Sequence, residues 1–328
     1  MLNRRGRIYV TAVLCALLVG TWAGPGGAGE LLVKLSHPQA PGSPFDIMAQ
    51  KFSELADKKS NAQIKVQVFP GAQLGNERDA LEGVVLGTVG ATFNSPGMLG
   101  NTWKPIGVLD IPYLFRDWDH VVKVLKGPIG QNLTDRMAKE SGVRALAWAN
   151  YGFRHLWTSN RAVRTLQDVG GLKMRAPEIP LYMETWRALG ATVVPMPAAE
   201  MYTALQQGVV FGQENPIGFT FGLNLHEVLK YVTRTYHMAG ILSFSFNEKS
   251  YQTLPPNLRT ALTDAAWEAA KFNDDRLAAS EGEMLEKMKT RGMTVIDVDR
   301  KPFVDATAGV REKFGTDKDL VQRIMATQ

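Results

Sequence analysis

Short strands and amphipathic helices alternate along the first third of the chain. Apolar or alternating runs predict strands over 31–37, 63–69 and 89–93, and helical periodicity predicts helices over 44–59 and 77–86 between them. A β-α-β-α-β order is typical of a parallel sheet whose faces are covered by helices. We therefore predict an α/β fold.

The rest of the chain continues in this way, without a composition break that would mark a linker. We predict separate strands over 143–149 and 153–159, and again over 231–237 and 241–247. One long helix is predicted over 256–290, followed by two shorter helices. Two α/β lobes without a linker imply that the chain crosses between them more than once. A cleft then lies between the lobes, and open α/β sheets bind ligands at the carboxyl ends of their strands.

The N-terminal segment, residues 1–29, has the pattern of a secretory signal peptide. Arg4, Arg5 and Arg7 precede an apolar run over 8–19, and small residues follow that run. The apolar run is short for a membrane span, and an N-terminal anchor is the alternative. We therefore expect export to the periplasm and no membrane-spanning segment in the mature chain.

Removal of residues 1–28 changes both the net charge and the cysteine content. Three of the 37 basic residues and none of the 32 acidic residues leave, so the net charge falls from +5 to +2. A charge of this size creates no large basic field, and we expect no nucleic-acid partner. The only cysteine, Cys15, leaves as well, so the core alone must stabilise the mature chain.

The sequence lacks the motifs of common enzymes and metal sites. It contains no Walker loop, no H-E-x-x-H and no G-x-S-x-G, and its five histidines have no metal-ligand spacing. We therefore expect no cofactor, no metal and no catalytic residues. The alternative is a secreted α/β enzyme that acts on small carboxylates with Glu77 or Glu214 as general base, but no nucleophile or cofactor motif accompanies either residue.

Polar residues stand at or near the ends of predicted buried strands. Ser95 ends "ATFNS", Arg175 ends "GLKMR" and Asn215 ends "VFGQEN". Arg154 lies in "NYGFRHLWTSN". A buried guanidinium needs a partner, and its planar fork of donors matches a carboxylate. That partner is either the carboxylate of a ligand or an acid of the protein itself. The acids considered for the second alternative are Glu178, Glu184 and Glu200.

One long block of sequence resembles a known family. Residues 171–216, "GLKMRAPEIPLYMETWRALGATVVPMPAAEMYTALQQGVVFGQENP", resemble the DctP-type solute-binding subunits of tripartite ATP-independent periplasmic (TRAP) transporters. The segments "VFPGAQLGNERDALEGVVLGTVG", "LDIPYLFRD" and "NEKSYQTLP" are also similar to that family. The resemblance covers residues 31–325, almost the whole mature chain.

The resemblance implies a two-lobed periplasmic binding protein fold with a hinged central cleft. We expect lobe I to comprise residues 30–151, completed by about 243–280. Lobe II would comprise residues 152–242, completed by about 281–328. The family also has a long helix that spans both lobes, and the helix predicted over 256–290 matches it.

The resemblance also implies which residues bind the ligand. Arg175 occupies the position of the family's arginine that pairs with the substrate carboxylate, and Asn215 matches an asparagine that contacts ligand. Arg154 matches a basic residue that gives a second contact, either to the acid or to the closing lobes. Glu77 stands where several members place an acidic or polar ligand contact, and Ser95 stands in the pocket loop after the third strand.

The implied function is transport rather than catalysis. The protein would capture a small organic acid, such as a sugar acid, a hydroxy or keto acid or a dicarboxylate, and deliver it to the small and large membrane subunits of a TRAP permease. We expect it to act as a monomer. The segments "FNSPG" and "MAGIL" differ from those of sialic-acid binders, which argues against that ligand. Trp157, Trp186 and Tyr236 are either walls of the pocket or part of the core.

Overall fold

The computed structural model describes residues 31–328, and the signal peptide predicted for residues 1–29 lies outside them. Within the described residues, nine strands form one sheet. The strands are β1 (Leu31–Ser36), β2 (Ile64–Phe69), β3 (Ala91–Asn94), β4 (Val143–Thr158), β5 (Lys173–Ala176), β6 (Thr192–Pro195), β7 (Gly212–Asn215), β8 (Tyr231–Asn247) and β9 (Thr294–Asp297).

Helices cover both faces of this sheet. The α-helices are α1 (Pro44–Lys59), α2 (Glu77–Leu86), α3 (Pro96–Leu99), α4 (Trp118–Lys126), α5 (Pro128–Ser141), α6 (Pro180–Ala188), α7 (Met201–Gln206), α8 (Ile217–Gly222), α9 (Glu248–Thr253), α10 (Pro256–Thr290), α11 (Lys301–Ala306), α12 (Ala308–Phe314) and α13 (Lys318–Ala326). Short 3-10 helices lie at Lys104–Asp110, Leu166–Val169, Ala198–Glu200 and Leu225–Glu227. None of the helices within residues 31–328 is both long and apolar enough to cross a bilayer.

Local sequence signals explain the first elements. Ser43 caps α1, because its hydroxyl oxygen accepts the backbone N–H of Asp46 at 3.3 Å. Pro44 occupies the first position of that helix, where its missing N–H costs nothing. Asn76 caps α2 in the same way, so the loop after β2 ends at a fixed residue. These signals place the helix bounds where the sequence predicts them.

The order of the strands divides the sheet into two ends. The order is β2-β1-β3-β8-β4-β7-β5-β6, with β9 paired to β8 outside this path. Strands β1, β2 and β3 are parallel at one end, and β5, β6 and β7 are parallel at the other. The long strands β4 and β8 pair antiparallel in the middle and belong to both ends. The sheet therefore builds two α/β lobes that share their central strands, as predicted.

The central strands correct one sequence prediction. The chain was expected to break between 149 and 153 and between 237 and 241, but β4 and β8 each continue through those positions. The register shifts between Asn150 and Gly152 instead, and Gly152 has φ of +96°. A Cβ on the facing Gly240 would lie 2.0 Å from the Gly152 carbonyl oxygen, so only glycine fits there. The two glycines form a bulge, and in the sequence alone a glycine at a bulge looks like the end of a strand.

Helix α10 contacts both lobes. It packs against α1, which follows β1, and against α8, which follows β7. Asp274 of this helix accepts the Asn150 N–H at 2.9 Å, so the helix is also joined to the bulge of β4. The predicted bounds of this lobe-spanning helix, 256–290, are confirmed. After it, the structure has β9 and three helices, where two helices and no strand were predicted.

Candidate functional site

A small cavity of about 30 Å³ lies between the two lobes. All five residues proposed from sequence line it, namely Glu77, Ser95, Arg154, Arg175 and Asn215. The remaining walls are apolar or aromatic. They are formed by Pro38, Phe45, Phe93, Tyr151, Pro177, Ile179, Tyr182, Ala198, Phe219 and Leu242.

The topology of the sheet brings the polar residues together. Arg175 and Asn215 stand at the carboxyl ends of the parallel strands β5 and β7. Ser95 follows the carboxyl end of β3, and Glu77 begins the helix after β2. Arg154 projects from the central strand β4. The carboxyl ends of the parallel strands in both lobes therefore meet at the cavity, which is where open α/β sheets bind ligands.

The guanidinium of Arg175 is buried but only partly satisfied by the protein. Its Nε donates to the carbonyl oxygen of Met196 at 2.9 Å. Within residues 31–328, no carboxylate lies within 4.0 Å of it and no hydrogen-bond acceptor reaches its terminal nitrogens. Burial lowers the pKa of Arg175 to about 10, and Arg154 contributes to this while the charges of Glu214 and Glu77 oppose it. Arg175 still carries its charge at neutral pH.

The acids considered as internal partners of Arg175 do not pair with it. Glu184 instead contacts Arg187 and Lys313, each at 2.7 Å, on the outer face of α6. Glu200 is exposed at the start of α7. Glu178 is near enough to favour the charge of Arg175 but forms no ion pair with it. The terminal nitrogens of Arg175 therefore remain available to a ligand.

Arg154, in contrast, is fully paired inside the protein. Its Nε donates to Glu214 Oε2 at 2.6 Å, and its Nη2 donates to Glu214 Oε1 at 2.7 Å. Nη2 also donates to Asn215 Oδ1 at 2.8 Å, and Nη1 donates to the hydroxyl of Tyr151. Burial opposes the charge of Arg154, but Glu214 outweighs it and raises the pKa. The alternative of an internal salt bridge is thus correct for Arg154, although its partner is none of the three acids considered.

Glu214 is locked in the same network. Its Oε2 lies 3.0 Å from His237 Nε2, and His237 Nδ1 lies 2.8 Å from the Thr235 hydroxyl. Burial alone would raise the pKa of Glu214, but Arg154 and His237 together lower it to about 2. Burial lowers the pKa of His237, so this imidazole is neutral. A carboxylate held in this way is a poor general base, which weakens the enzyme alternative.

Asn215 is oriented by its neighbours. Its Oδ1 accepts from Arg154, and its Nδ2 donates to Gln213 Oε1 at 2.6 Å. Gln213 in turn donates to the hydroxyl of Thr220 at 3.0 Å. These hydrogen bonds fix the orientation of the Asn215 amide, with Oδ1 towards Arg154 and Nδ2 towards Gln213. The amide is therefore held in one position beside the cavity.

Glu77 and Ser95 face the cavity from the other lobe. The hydroxyl of Ser95 caps α3 by accepting the Met98 N–H at 3.3 Å, so its own hydrogen remains free to donate. Glu77 is half-buried, and burial raises the pKa of its carboxyl group. The charges of Arg175 and Arg154 oppose that shift. The carboxyl group of Glu77, a hydrogen-bond acceptor, therefore lies on the opposite side of the cavity from the positively charged Arg175.

The aromatic walls were missed from the sequence. Phe45 packs edge-on against Tyr151 and Phe219, with ring centroids 5.8 and 5.7 Å apart, so the rings of α1, β4 and α8 meet across the cleft. The aromatic residues proposed from sequence lie elsewhere. Trp157 and Trp186 are fully buried in the core, and Tyr236 packs against His155 and Phe153. Aromatic residues of the core and of a cleft wall occur in the same apolar sequence pattern, so the sequence does not show which rings face the cleft.

Among residues 31–328, no three or more His, Cys, Asp or Glu side chains come together in a group that could hold a metal ion.

Comparisons with known proteins agree with this geometry. The DctP family, described as "Bacterial extracellular solute-binding protein, family 7", matches residues 35–317. A "Solute-binding protein" of Verminephrobacter eiseniae is 38% identical over 288 residues, which are 88% of this chain and 86% of that protein.

Two solved structures are similar over nearly the whole chain. A TRAP periplasmic solute binding protein from Pseudomonas putida F1, with bound D-glucuronate, is 33% identical with a TM-score of 0.87, covering 91% of this chain and 98% of that chain. One from Bordetella bronchispeptica, with density interpreted as pantoate, is 32% identical with a TM-score of 0.87, covering 91% of this chain and 100% of that chain.

The two lobes and the cleft between them, with its buried and partly unpaired guanidinium, define a solute-binding protein. The chain belongs to the DctP family of bacterial extracellular solute-binding proteins. The predicted resemblance to TRAP solute-binding subunits and the two-lobed α/β fold are confirmed. The relatives are binding proteins of transporters, which supports a role in small-acid transport and not in catalysis.

Proposed function

We propose that this protein captures a small hydroxylated monocarboxylate in the cavity between its lobes and delivers it to the two membrane subunits of a TRAP permease. It acts in the periplasm as a monomer. The observation that carries the proposal is the guanidinium of Arg175. It is buried and charged, and its terminal nitrogens have no acceptor among residues 31–328. A charge in this position needs an anion.

Arg175 binds the carboxylate of the ligand. Its Nε is fixed by Met196, so the fork is oriented before the ligand arrives and loses little freedom on binding. Each charge-assisted hydrogen bond of this kind contributes about 1.5–3 kcal/mol. The amide of Asn215, held by Arg154 and Gln213, lies beside the fork and adds a polar contact.

The opposite side of the cavity selects hydroxyl groups. Glu77 offers acceptors and Ser95 offers a hydroxyl, so ligand hydroxyls find partners there. A second ligand carboxylate beside Glu77 would share the site with another carboxyl group. The two would either repel as like charges or require one of them to take up a proton, which disfavours dicarboxylates within the class of acids expected from the sequence. Phe45 and Phe219 pack against the apolar face of the ligand. Glucuronate, which is bound in one related structure, and pantoate, as which density in another is interpreted, are both hydroxylated monocarboxylates.

The lobes must separate to admit such a ligand. The cavity of about 30 Å³ holds about two water molecules, whereas ligand sites usually measure roughly 300–1,000 Å³. We place the hinge at the bulge of Gly152 and Gly240, because the boundaries proposed for the lobes, 151/152 and 242/243, fall next to it in β4 and β8. Binding then couples to closure of the lobes.

A thermal-shift panel tests the proposal. The mature chain is heated with D-glucuronate, D-gluconate, pantoate and succinate, and with D-glucose as an uncharged control. A ligand that binds only the folded protein raises its Tm in proportion to ln(1 + [L]/Kd). At least one hydroxylated monocarboxylate should raise the Tm and be recovered chemically unchanged. A panel without any shift, an equal shift with glucose, or a converted ligand contradicts the proposal.

A further inference from the structure

Tyr182 joins the two lobes beside the cavity. It lies on α6, which follows β5 in one end of the sheet, and its ring lines the cavity. Its hydroxyl donates to Asp110 Oδ2 at 2.7 Å. Asp110 ends the 3-10 helix Lys104–Asp110, which follows β3 and α3 in the other end of the sheet. The hydrogen bond therefore crosses from one lobe to the other.

Asp110 lies in an environment that suits an uncharged acid. It is fully buried, and its Oδ2 also accepts the Gly97 N–H at 2.6 Å. Its Oδ1 has no hydrogen-bond partner within the described part of the chain. A buried carboxylate with one unpaired oxygen is costly, and protonation relieves that cost.

We propose that Asp110 and Tyr182 form a latch that fastens the two lobes over a bound ligand and takes up one proton from solvent as the lobes close. The inference rests on the proposed function, because closure is what ligand binding requires. Asp110 and Tyr182 are not among the residues that make the proposed polar contacts with the ligand. The latch therefore changes the affinity for the ligand and the pH dependence of that affinity.

The proton balance follows from the two states of Asp110. Opening of the lobes would expose the carboxylate to water and return its pKa towards the ordinary value of 3.8, so that it would be charged at neutral pH. In the closed form burial raises the pKa to about 7, so a proton from solvent bonds to the carboxyl oxygen when the lobes close below that pH. Closure is therefore favoured as pH falls through 7, and this advantage is lost as pH rises.

Four other titratable groups face Asp110. Tyr182 and Arg154 favour its charged form, through the hydroxyl donor and the positive charge. Glu214 favours its neutral form. Tyr151 lies close enough that the charge of Asp110 raises the pKa of its phenol, and this group stays neutral between pH 6 and 8. Because Arg154 and Glu214 neutralise each other as an ion pair, burial decides the outcome for Asp110.

The test compares the pH dependence of ligand binding in matched variants. Kd is measured by calorimetry at pH 6 and pH 8 for the panel acid that gives the largest Tm shift. The parent should bind about tenfold more tightly at pH 6, as a pKa of about 7 in the closed form requires. Proton uptake near pH 7 is read from the same titrations in buffers of different ionisation enthalpy. Asp110→Asn, which cannot titrate, should lose most of both effects, whereas exposed Asp119→Asn should keep them.

Tyr182→Phe provides a second and opposite signature. It keeps the ring in the cavity wall but removes the donor that stabilises the charged carboxylate. Its affinity should therefore fall more at pH 8 than at pH 6, which a purely structural defect would not produce. The latch is wrong if Asp110→Asn retains the tenfold pH dependence and the proton uptake of the parent, or if Tyr182→Phe weakens binding equally at both pH values.

Failure of the proposed function gives a different result, in which the parent binds no panel acid. The latch is then tested on the ligand-free protein, with fluorescent labels at Leu86→Cys and Val209→Cys. Both positions are exposed, Leu86 at the end of α2 in one lobe and Val209 in the turn between α7 and β7 in the other. The lobes should be closed more often at pH 6 than at pH 8, and Asp110→Asn should remove the difference. Equal distances between the labels at both pH values would overturn the latch.

Discussion

Arg154 and Glu214 form a bidentate ion pair inside the closed cleft, with Nε to Oε2 at 2.6 Å and Nη2 to Oε1 at 2.7 Å. The pair is buried and joins the adjacent strands β4 and β7. Because this guanidinium is satisfied by the protein, the two arginines of the cavity have different roles. Arg154 supports the cavity wall, whereas Arg175 is the arginine that binds the ligand under the proposed function.

Loss of one member of this pair should destabilise the fold. Glu214→Ala would leave the charge of Arg154 buried without compensation, and we expect the free energy of unfolding in urea to fall by about 3–5 kcal/mol. Glu200→Ala, an exposed acid at the start of α7, should change it by less than about 0.5 kcal/mol. If the two variants have the same free energy of unfolding, the Arg154–Glu214 ion pair does not stabilise the fold.

The same pair predicts an acid sensitivity. The pKa of Glu214 is lowered to about 2 from its ordinary value of 4.5, so its contribution is complete above 4.5 and is lost as pH falls towards 2. Urea unfolding at pH 5 and pH 3 should therefore show a smaller loss of stability for Glu214→Gln than for the parent. If both lose the same amount, the carboxylate does not stabilise the fold through its charge.

Close packing at Gly97 predicts a defect in closure. A β-carbon there would lie 2.8 Å from the Tyr182 ring and 3.0 Å from Ile179, both on the opposite lobe. Gly97→Ala should therefore weaken ligand binding by about tenfold, in line with the cost of roughly 1–3 kcal/mol for overpacking. Gly107→Ala, where a β-carbon meets nothing within 4 Å, should bind like the parent. Calorimetry distinguishes the two, and unchanged affinity of Gly97→Ala would argue against this contact in the liganded form.

Elements with local signals were predictable from the sequence. Helix α1 has Ser43 as its cap and Pro44 at its first position, and α10 begins at a proline, so their bounds were found to the residue. The central strands were not, because Gly152 and Gly240 resemble a break in the chain. Only the paired strand shows that hydrogen bonding continues across this bulge.

The sequence predicted that the candidate residues lie together, but it did not predict which of them pair with each other. All five candidates line the cavity. The family pattern marks all five, and all except Glu77 were also marked as polar residues at or near the ends of predicted strands. The partner of Arg154 could not be found, since Glu214 is 60 residues away and meets it only through the pairing of β4 with β7. The walls formed by Phe45 and Phe219 depend on how the lobes meet, which no local pattern encodes.

Glu77 should control which class of acid binds. In Glu77→Gln the carboxyl group that opposes a second ligand carboxylate is gone. The affinity for succinate relative to D-glucuronate should therefore be higher in this variant than in the parent. The ratio of the two Kd values should change by about tenfold or more, as loss of one close charge interaction allows. Competition titrations measure it, and an unchanged ratio would remove Glu77 from the site.

Arg175→Lys separates charge from geometry. Lysine keeps the positive charge but cannot offer two parallel donors or the bond that holds Nε to Met196. We expect the affinity for the panel acid to fall by about tenfold or more, with the Tm of the ligand-free protein lowered little. Retained affinity would mean that a point charge suffices and that the fork is not used.

The most direct test of carboxylate recognition by Arg175 is a calorimetric cycle. The parent and Arg175→Ala are each titrated with the best panel acid and with its uncharged amide. The parent should prefer the acid by at least about a hundredfold, as two charge-assisted hydrogen bonds imply, and Arg175→Ala should bind both compounds equally weakly. A variant that keeps the parent's preference for the acid would show that another group recognises the charge.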